Sequence, residues 1–204
     1  MTNLILMQRH PVQVVSEVTR RTGRDLVFTY SRYQVAPPGE QAAAPRSPTF
    51  RVPAQDVKPE WLLARLAELG PKEELAWHSL VERDSGRFHV PMIDFCGRPD
   101  ALAVRGVWNL MANELGLRGD FVLFGSGRSF HGYFSDLISE SMWSTYLGEL
   151  LLINQQDCPP IIDARWVGHA LVRGFAALRW SHNTSRYLAA PRLVELPEYE
   201  SNTA

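Results

Sequence analysis

The chain has 204 residues, of which 45% are hydrophobic and 21% are charged. This length and composition suffice to bury a hydrophobic core, and they favour one domain with peripheral segments over two domains. Lysine and arginine together number 21 against 22 aspartates and glutamates. The overall charge therefore does not favour nucleic acid, a membrane surface or an acidic partner, and any nucleic-acid site must be a local patch.

Targeting and redox signals are sparse along the chain. Its two cysteines, Cys96 and Cys158, lie far apart without CxxC spacing, which argues against a zinc site or a disulfide framework. No apolar run approaches the length of a membrane-spanning helix, and no basic region precedes the short apolar run near the start. We therefore expect a cytoplasmic protein in a reducing compartment, with no membrane partner.

The N-terminal region, residues 1–74, is expected to form a small α/β extension. Valines recur at helical spacing before Gly23, and residues 26–30 then have the composition of a strand. Prolines recur through residues 36–59, where each removes an amide donor, so this stretch is predicted to be an extended surface loop. A short amphipathic helix is predicted to begin at Pro59.

Residues 75–190 carry the pattern of the main domain, and residues 191–204 are expected to be a peripheral tail. Strands are predicted over residues 75–82, 87–95, 121–124, 129–134, 161–163 and 175–180, with helices from Pro99 to Gly116 or Gly119, from a Ser135 cap to about Leu152, and a turn or helix near residues 167–172. From residue 87 the order is strand, helix, strand, strand, helix, strand. This is the ferredoxin-like arrangement, so the predicted fold class is α+β with an antiparallel sheet covered by helices.

Three polar residues lie within or at the ends of apolar strands: Asp94, His131 and Asp163. A carboxylate at the end of a buried strand costs desolvation energy unless it meets a cation, an arginine or backbone donors. Asp94 and Asp163 therefore favour a shared partner such as Mg²⁺ or Mn²⁺, as in phosphoryl transfer, where carboxylates hold paired metal ions. For either aspartate alone, a role as turn former or helix cap is the commoner alternative.

The segment before His131 has the composition of a phosphate site. Its glycines expose backbone amides and its other residues add side-chain donors, so the predicted phosphate ligands are Ser126, Gly127, Arg128, Ser129 and His131. A lone histidine between Phe130 and Gly132 is more often a packed or exposed strand residue. Asp94, His131 and Asp163 nevertheless occur in order on successive elements of one predicted fold, and this combination favours a shared functional site over separate structural roles.

On these motifs the chain resembles the archaeo-eukaryotic primase superfamily, whose core is a ferredoxin-like or RNA-recognition-motif-like sheet. The resemblance covers roughly residues 75 to 185. In that family two acidic residues separated by one position end a strand; here Asp94 holds the first position and Cys96 the second. The family's later motifs are similar to Ser129-Phe130-His131, to Ile161-Ile162-Asp163 and, for a downstream strand arginine, to Arg179.

The resemblance implies catalytic roles for Asp94, His131 and Asp163, binding of Mg²⁺ or Mn²⁺ by the two aspartates, and nucleotide contacts from Arg179 and the residues around Ser126. A neutral thiol at Cys96 is a poor ligand for a hard ion, so weak metal binding and weak or absent polymerisation are expected. From the residues alone, Cys96 is interpreted as a small buried hydrophobe and Asp100 as a residue at the N-terminus of the following helix.

Three functions stay open. The first is a minimal metal-dependent primase-polymerase that uses nucleoside triphosphates on a single-stranded template. The second is a catalytically weakened form that still binds a nucleotide or nucleic acid. The third is a non-catalytic adaptor with a protein partner, for example in a defence-type complex. Because the sequence contains no base-reading motif, it does not select among DNA, RNA and free nucleotide.

Overall fold

A computed structural model describes residues 9–35 and 49–195. The helices are α1 (Val12–Thr22), α2 (Pro59–Ala67), α3 (Ala101–Leu115), α4 (Trp143–Leu152) and α5 (Ala164–Arg173). The strands are β1 (Val27–Gln34), β2 (Thr49–Pro53), β3 (Glu73–Arg83), β4 (Gly86–His89), β5 (Met92–Asp94), β6 (Phe121–Gly125), β7 (Phe130–Phe134), β8 (Ile138–Ser139), β9 (Ala177–Arg179) and β10 (Arg192–Leu193).

Two antiparallel sheets organise these elements. The first has the strand order β2, β1, β3, β4, β8, and β9 also pairs with β3. The second has the order β10, β6, β7, β5. Just past the end of β5, Phe95 forms an antiparallel bridge with Ile162. This bridge brings the chain before α5 alongside the end of β5, where the predicted site residues lie.

The N-terminal elements are built into the first sheet. β1 pairs with β2 on one side and with β3 on the other. The buried valines of α1, such as Val15 and Val18, belong to the same hydrophobic cluster as Trp77 and Trp180. Each such side chain contributes on the order of 1.5–3 kcal/mol through burial. The region predicted as an extension is thus joined to the main domain by a continuous sheet and core.

Two hydrophobic clusters meet at β5. Met92 belongs to the cluster that includes α1 and β1, whereas Ile93 belongs to the cluster with residues of α3, α4 and α5. This division follows from the alternation of side chains along a strand. The predicted α+β class, with antiparallel sheets and helices, is confirmed. In the described ranges, no helix is both long and apolar enough to span a bilayer.

Several predicted elements are confirmed with small shifts of their ends. α1 ends before Gly23, and α2 begins at Pro59 as expected. α3 ends at Gly116, whose φ of 64° lies in the left-handed region that glycine tolerates. The predicted strand over residues 161–163 is present only as the bridge at Ile162, and the turn or helix predicted near residue 167 is the full helix α5.

The loop predicted over residues 36–59 is wrong for its second half. Residues 36–48 lie outside the described residues, but Thr49–Pro53 forms β2 and Ala54–Asp56 forms a 3₁₀ turn. A proline is compatible with this strand because β2 is the terminal strand of its sheet and Pro53 is its last residue, so little of the hydrogen-bond ladder is lost.

The single strand predicted over residues 87–95 is two strands in different sheets. Pro91 lacks an N–H, so the ladder between β3 and β4 cannot continue through it. Val90 N still donates to Ser79 O at 2.8 Å, whereas Pro91 O accepts from Phe134 N at 3.0 Å. The chain therefore passes from the first sheet to the second at this proline.

The helix predicted to end at about Leu152 is present as α4, but its predicted start, with Ser135 as the cap, is wrong. Ser135 Oγ accepts a hydrogen bond from Asp120 N at 2.8 Å, and the Asp136 carboxylate accepts from the amides of Arg118 and Gly119. These side chains close the loop before β6 instead of capping a helix. β8 and a 3₁₀ turn follow, and α4 begins only at Trp143.

Candidate functional site

Asp94 and His131 face each other across neighbouring strands. They are register partners in the β5–β7 ladder, and His131 Nε2 lies 3.8 Å from Asp94 Oδ1. That distance is too long for a hydrogen bond. Solvent reaches 22% of the Asp94 side chain and 7% of His131. Asp94 is therefore the more accessible member of the pair.

Asp163 reaches the same place through the backbone. Its N–H donates to Asp94 O at 2.9 Å, next to the bridge between Phe95 and Ile162. The structure thus brings together Asp94, His131 and Asp163, which lie on three separate segments of the chain.

The side chain of Asp163 also has a local structural role. Oδ1 accepts from Arg165 N at 2.9 Å and from Trp166 N at 3.0 Å, which caps the N-terminus of α5. The helix-cap alternative is therefore confirmed for this residue. Both hydrogen bonds end on Oδ1, so Oδ2 is the oxygen that a cation would contact.

Burial changes the charge of the central pair. The pKa of Asp94 is raised to about 8, first by burial and then by the nearby charge of Asp163, while Arg179 acts in the opposite direction. Burial, and after it the charge of Arg179, lowers the pKa of His131 to about 3. Within the described residues, His131 Nδ1 is buried without a hydrogen-bond partner. The imidazole is therefore neutral, and added positive charge would favour the ionised form of Asp94.

The predicted phosphate segment forms a tight turn between β6 and β7. Ser126 N donates to Ser129 O at 2.9 Å, and the two serine hydroxyls lie 2.9 Å apart. Gly127 has a φ of 110°, in the region that favours glycine. Arg128 is exposed, and Arg98 donates to Gly127 O at 2.6 Å. We call residues 126–129 the serine turn.

Arg179 is buried, with its guanidinium occupied by backbone carbonyls. It donates to Ser126 O at 2.7 Å, to Ala189 O at 3.0 Å and to Ser181 O. The Tyr187 ring also covers it, with 4.0 Å between Arg179 Cζ and the ring centroid. The arginine thus ties β9 to the serine turn. A phosphate that bound Arg179 would have to replace part of this arrangement.

Cys96 is exposed, so its interpretation as a buried hydrophobe is wrong. β5 ends at Asp94, and although Cys96 N still donates to Ile161 O at 2.8 Å, the side chain lies at the surface before α3. Asp100 caps α3 as predicted, since its Oδ1 accepts from Ala103 N at 2.8 Å. The second acidic position of the resemblance is therefore a solvent-facing thiol.

The carboxylate oxygens nearest the site belong to Asp94 and Asp163. Among the described residues, no group of three or more histidine, cysteine, aspartate or glutamate side chains is arranged to hold a metal ion. Any hard cation in this place would therefore take two protein carboxylates and fill its remaining positions from a ligand or water.

Sequence reasoning missed Glu74, which is fully buried in β3. Its carboxylate accepts from Thr184 N at 2.8 Å, from Thr184 Oγ1 at 2.7 Å, from Asn183 N at 3.1 Å and from Ser181 Oγ. A glutamate inside a run of otherwise buried strand residues was the available signal. It was not informative alone, because its partners lie more than a hundred residues later.

The chain matches a protein family over most of its length. The family described as archaeo-eukaryotic primase 1D-like (AEP-like) matches residues 53–192, which include Asp94, His131, Asp163 and Arg179. No curated protein gave a significant match to the chain. The match extends beyond the resemblance expected from residue 75, since it also contains α2. Because it spans well over half of the chain, the protein belongs to the archaeo-eukaryotic primase 1D-like family.

Proposed function

We propose that this protein binds a nucleoside triphosphate together with one divalent cation, and that its capacity for primer synthesis is weak or absent. The observation that supports the proposal most directly is the convergence of Asp94, His131 and Asp163 from β5, β7 and the start of α5. Residues so far apart in the sequence meet at one partly open point, beside a turn of the composition expected for phosphate.

Two carboxylates fit a single cation carried by a nucleotide. Mg²⁺ is usually bound by one or two carboxylates together with substrate phosphates and water. Asp94 and Asp163 would be those carboxylates, and the bound ion would neutralise phosphate charge. Since the pKa of Asp94 is raised to about 8, a proton competes with the cation near neutral pH. Cation affinity should therefore rise between pH 6 and pH 8.

The serine turn would contact the phosphates. Arg128 is its exposed cation, and backbone amides of such a turn can add to an anion site. Neutral His131 has one N–H to offer as a donor. Charge-assisted bonds from an arginine to phosphate are the strongest of these contacts, so Arg128 should contribute most of the phosphate affinity.

Weak catalysis follows from the donor set. In-line phosphoryl transfer by paired ions needs carboxylates around both ions. Cys96 occupies the second acidic position, and it is exposed and neutral in its thiol form. The protein should consequently bind a nucleotide even though it polymerises slowly or not at all. DNA, RNA or a free nucleotide each fit this phosphate chemistry.

Calorimetric titration of ATP with Mn²⁺ into the wild-type protein tests the proposal. Asp94→Asn should weaken Mn²⁺-dependent binding by about tenfold or more, since it removes one of two charged ligands. Asp84→Asn, the same change in the exposed turn between β3 and β4, is the matched control and should have no effect. Absence of ATP binding to the wild-type protein, with or without Mn²⁺, would contradict the proposal.

Incorporation of labelled nucleotide on a single-stranded template tests the catalytic part. The wild-type protein should give little or no product in Mn²⁺. Cys96→Asp restores a carboxylate at an exposed position, so the change should fold and should increase both Mn²⁺ affinity and any incorporation. Cys158→Asp, a second exposed cysteine outside the site, is the matched control.

A second function, a non-catalytic adaptor with a protein partner, is favoured by the structural roles of two site residues. Asp163 caps α5, and Arg179 donates to three backbone carbonyls. Under this alternative, substitutions of these residues change stability alone, and no nucleotide binds. The titration with ATP and Mn²⁺ therefore separates the two functions.

A further inference from the structure

Residues 182–191, which form most of the connection between β9 and β10, cross the serine turn; we call them the strap. Its contact with the turn is close. A Cβ atom built on Gly127 would lie 3.1 Å from Leu188 Cβ and 3.3 Å from Ala189 N. There is little room between the strap and the turn at this point. The strap therefore covers part of the surface that the proposed function assigns to phosphates.

The strap also covers Arg179. Ala189 O accepts from Arg179 Nη2 at 3.0 Å, and the Tyr187 ring lies 4.0 Å from the guanidinium carbon. One contact uses an N–H at the edge of the guanidinium, and the other covers its face. Both are positions at which an arginine binds a phosphate or packs on a base. With the strap in place, Arg179 makes its contacts within the chain.

The start and the middle of the strap are held by different contacts. At its start, the strap is fixed by the buried carboxylate of Glu74, which accepts from Asn183 N and from the backbone and hydroxyl of Thr184. Near its middle, it is held by Tyr187, whose hydroxyl lies 3.1 Å from that of Tyr33 and whose ring covers Arg179, and by Ala189 O, which accepts from Arg179. Release of the start would leave the buried Glu74 side chain without most of its donors, whereas a phosphate could replace the carbonyl and the ring at Arg179.

We infer that the strap is an autoinhibitory segment, which closes the nucleotide site and opens at Tyr187 while Glu74 keeps its start in place. This inference rests on the proposed function. A triphosphate would replace the Ala189 carbonyl and the Tyr187 ring at Arg179. Because the closed form does not bind, the apparent affinity for nucleotide falls by the fraction of protein that is open.

Tyr187→Ala tests the inference, since it removes both the ring over Arg179 and the hydroxyl contact with Tyr33. Titration of ATP with Mn²⁺ should show affinity increased by about 3- to 10-fold over wild type, the range set by loss of one cation–π contact. Ser185→Ala, at an exposed position of the strap, is the matched control and should bind as wild type. Amide hydrogen exchange of the serine turn should become faster in Tyr187→Ala and not in the control.

Tyr33→Phe provides a second variant, because it removes only the hydroxyl contact and keeps the ring of Tyr187 over Arg179. Tyr33→Phe should increase ATP affinity by less than Tyr187→Ala. If Tyr187→Ala does not fold, Tyr33→Phe alone tests whether the strap inhibits binding. Equal affinity in wild type and the folded variants would overturn the inference and leave the proposed function intact. Weaker binding in the variants would also overturn it, since the strap would then be a wall of the site. Absence of ATP binding in every variant would overturn the proposed function and this inference with it.

Discussion

His131 and Asp94 are opposite each other on β7 and β5, with 3.8 Å between Nε2 and Oδ1, and burial disfavours the charged form of both. The histidine pKa is lowered to about 3 and the aspartate pKa is raised to about 8. The pair is therefore not a stable ion pair at neutral pH. The ionisation of the pair therefore also depends on the nearby charged groups, which are Asp163 for the aspartate and Arg179 for both residues.

Asp94→Asn should stabilise the fold at neutral and alkaline pH. A carboxyl group whose pKa is raised by folding costs no stability below its unfolded value, near 4, and an increasing amount as the pH rises towards 8. We expect a gain of about 1–2 kcal/mol at pH 7, less than the whole shift implies because solvent reaches 22% of the side chain. Urea unfolding at pH 5 and pH 8 measures it, with Asp84→Asn as control. A variant less stable than wild type at pH 8 would contradict the assignment.

The stability of the wild-type protein should fall as the pH is lowered from about 6.5 towards 4. Burial lowers the pKa of His10 and His89 to about 4 and that of His131 to about 3, so the unfolded chain binds more protons than the folded one in this window. Above the unfolded value of about 6.5 this stability is fully present. His89→Gln should reduce the slope of unfolding free energy against pH by up to about 1.4 kcal/mol per unit. An unchanged slope in that variant would show that His89 does not titrate as described.

Substitutions of Asp163 should separate its role as helix cap from its role as ligand. Asp163→Ala should destabilise the protein by about 1 kcal/mol, whereas Asp163→Asn should retain the cap and most of the stability. Both should weaken Mn²⁺-dependent ATP binding, because both remove the carboxylate. Asp100→Ala at the start of α3 is the control for capping alone, with a similar loss in urea unfolding and unchanged binding. Asp163→Asn that binds like wild type would exclude Asp163 as a ligand.

Truncation of Arg179 should affect stability, whereas truncation of Arg128 should affect ATP binding. Arg179→Ala leaves the carbonyls of Ser126, Ser181 and Ala189 without their donor, and we expect a loss of about 2–4 kcal/mol in urea unfolding. Arg128→Ala should leave stability unchanged, since the side chain is exposed, and should weaken ATP binding. If Arg179→Ala were as stable as wild type, the carbonyl contacts would not hold the strap and the serine turn together.

The positions of the central site residues were predictable because each depends on local pattern. Asp94 follows the apolar residue Ile93, and His131 follows the apolar residue Phe130. Because side chains alternate along a strand, each polar residue lies on the opposite face from its apolar neighbour. Asp100 could be identified as a cap for the same reason, since a cap bonds to an amide only three residues ahead. Such contacts need no knowledge of the rest of the fold.

Contacts between distant segments were not predictable in this way. Ser135 has the composition of a helix cap, but its hydroxyl accepts from Asp120 instead. Cys96 was expected to be buried, but it is exposed because β5 ends two residues earlier. In both cases the competing partner, or the end of the strand, depends on how the sheet is assembled.

The sequence by itself therefore determined the family resemblance, the α+β class and the placement of Asp94, His131 and Asp163 at or near the ends of their elements, since these depend on short-range pattern and order along the chain. Only the tertiary structure decided that Arg179 is bound by carbonyls, that Glu74 fixes the strap and that the strap covers the serine turn. These contacts join residues 53 positions apart for Arg179 and Ser126 and 110 positions apart for Glu74 and Thr184. Buried polar groups bind the donors and acceptors that packing brings to them, and no local pattern encodes that choice.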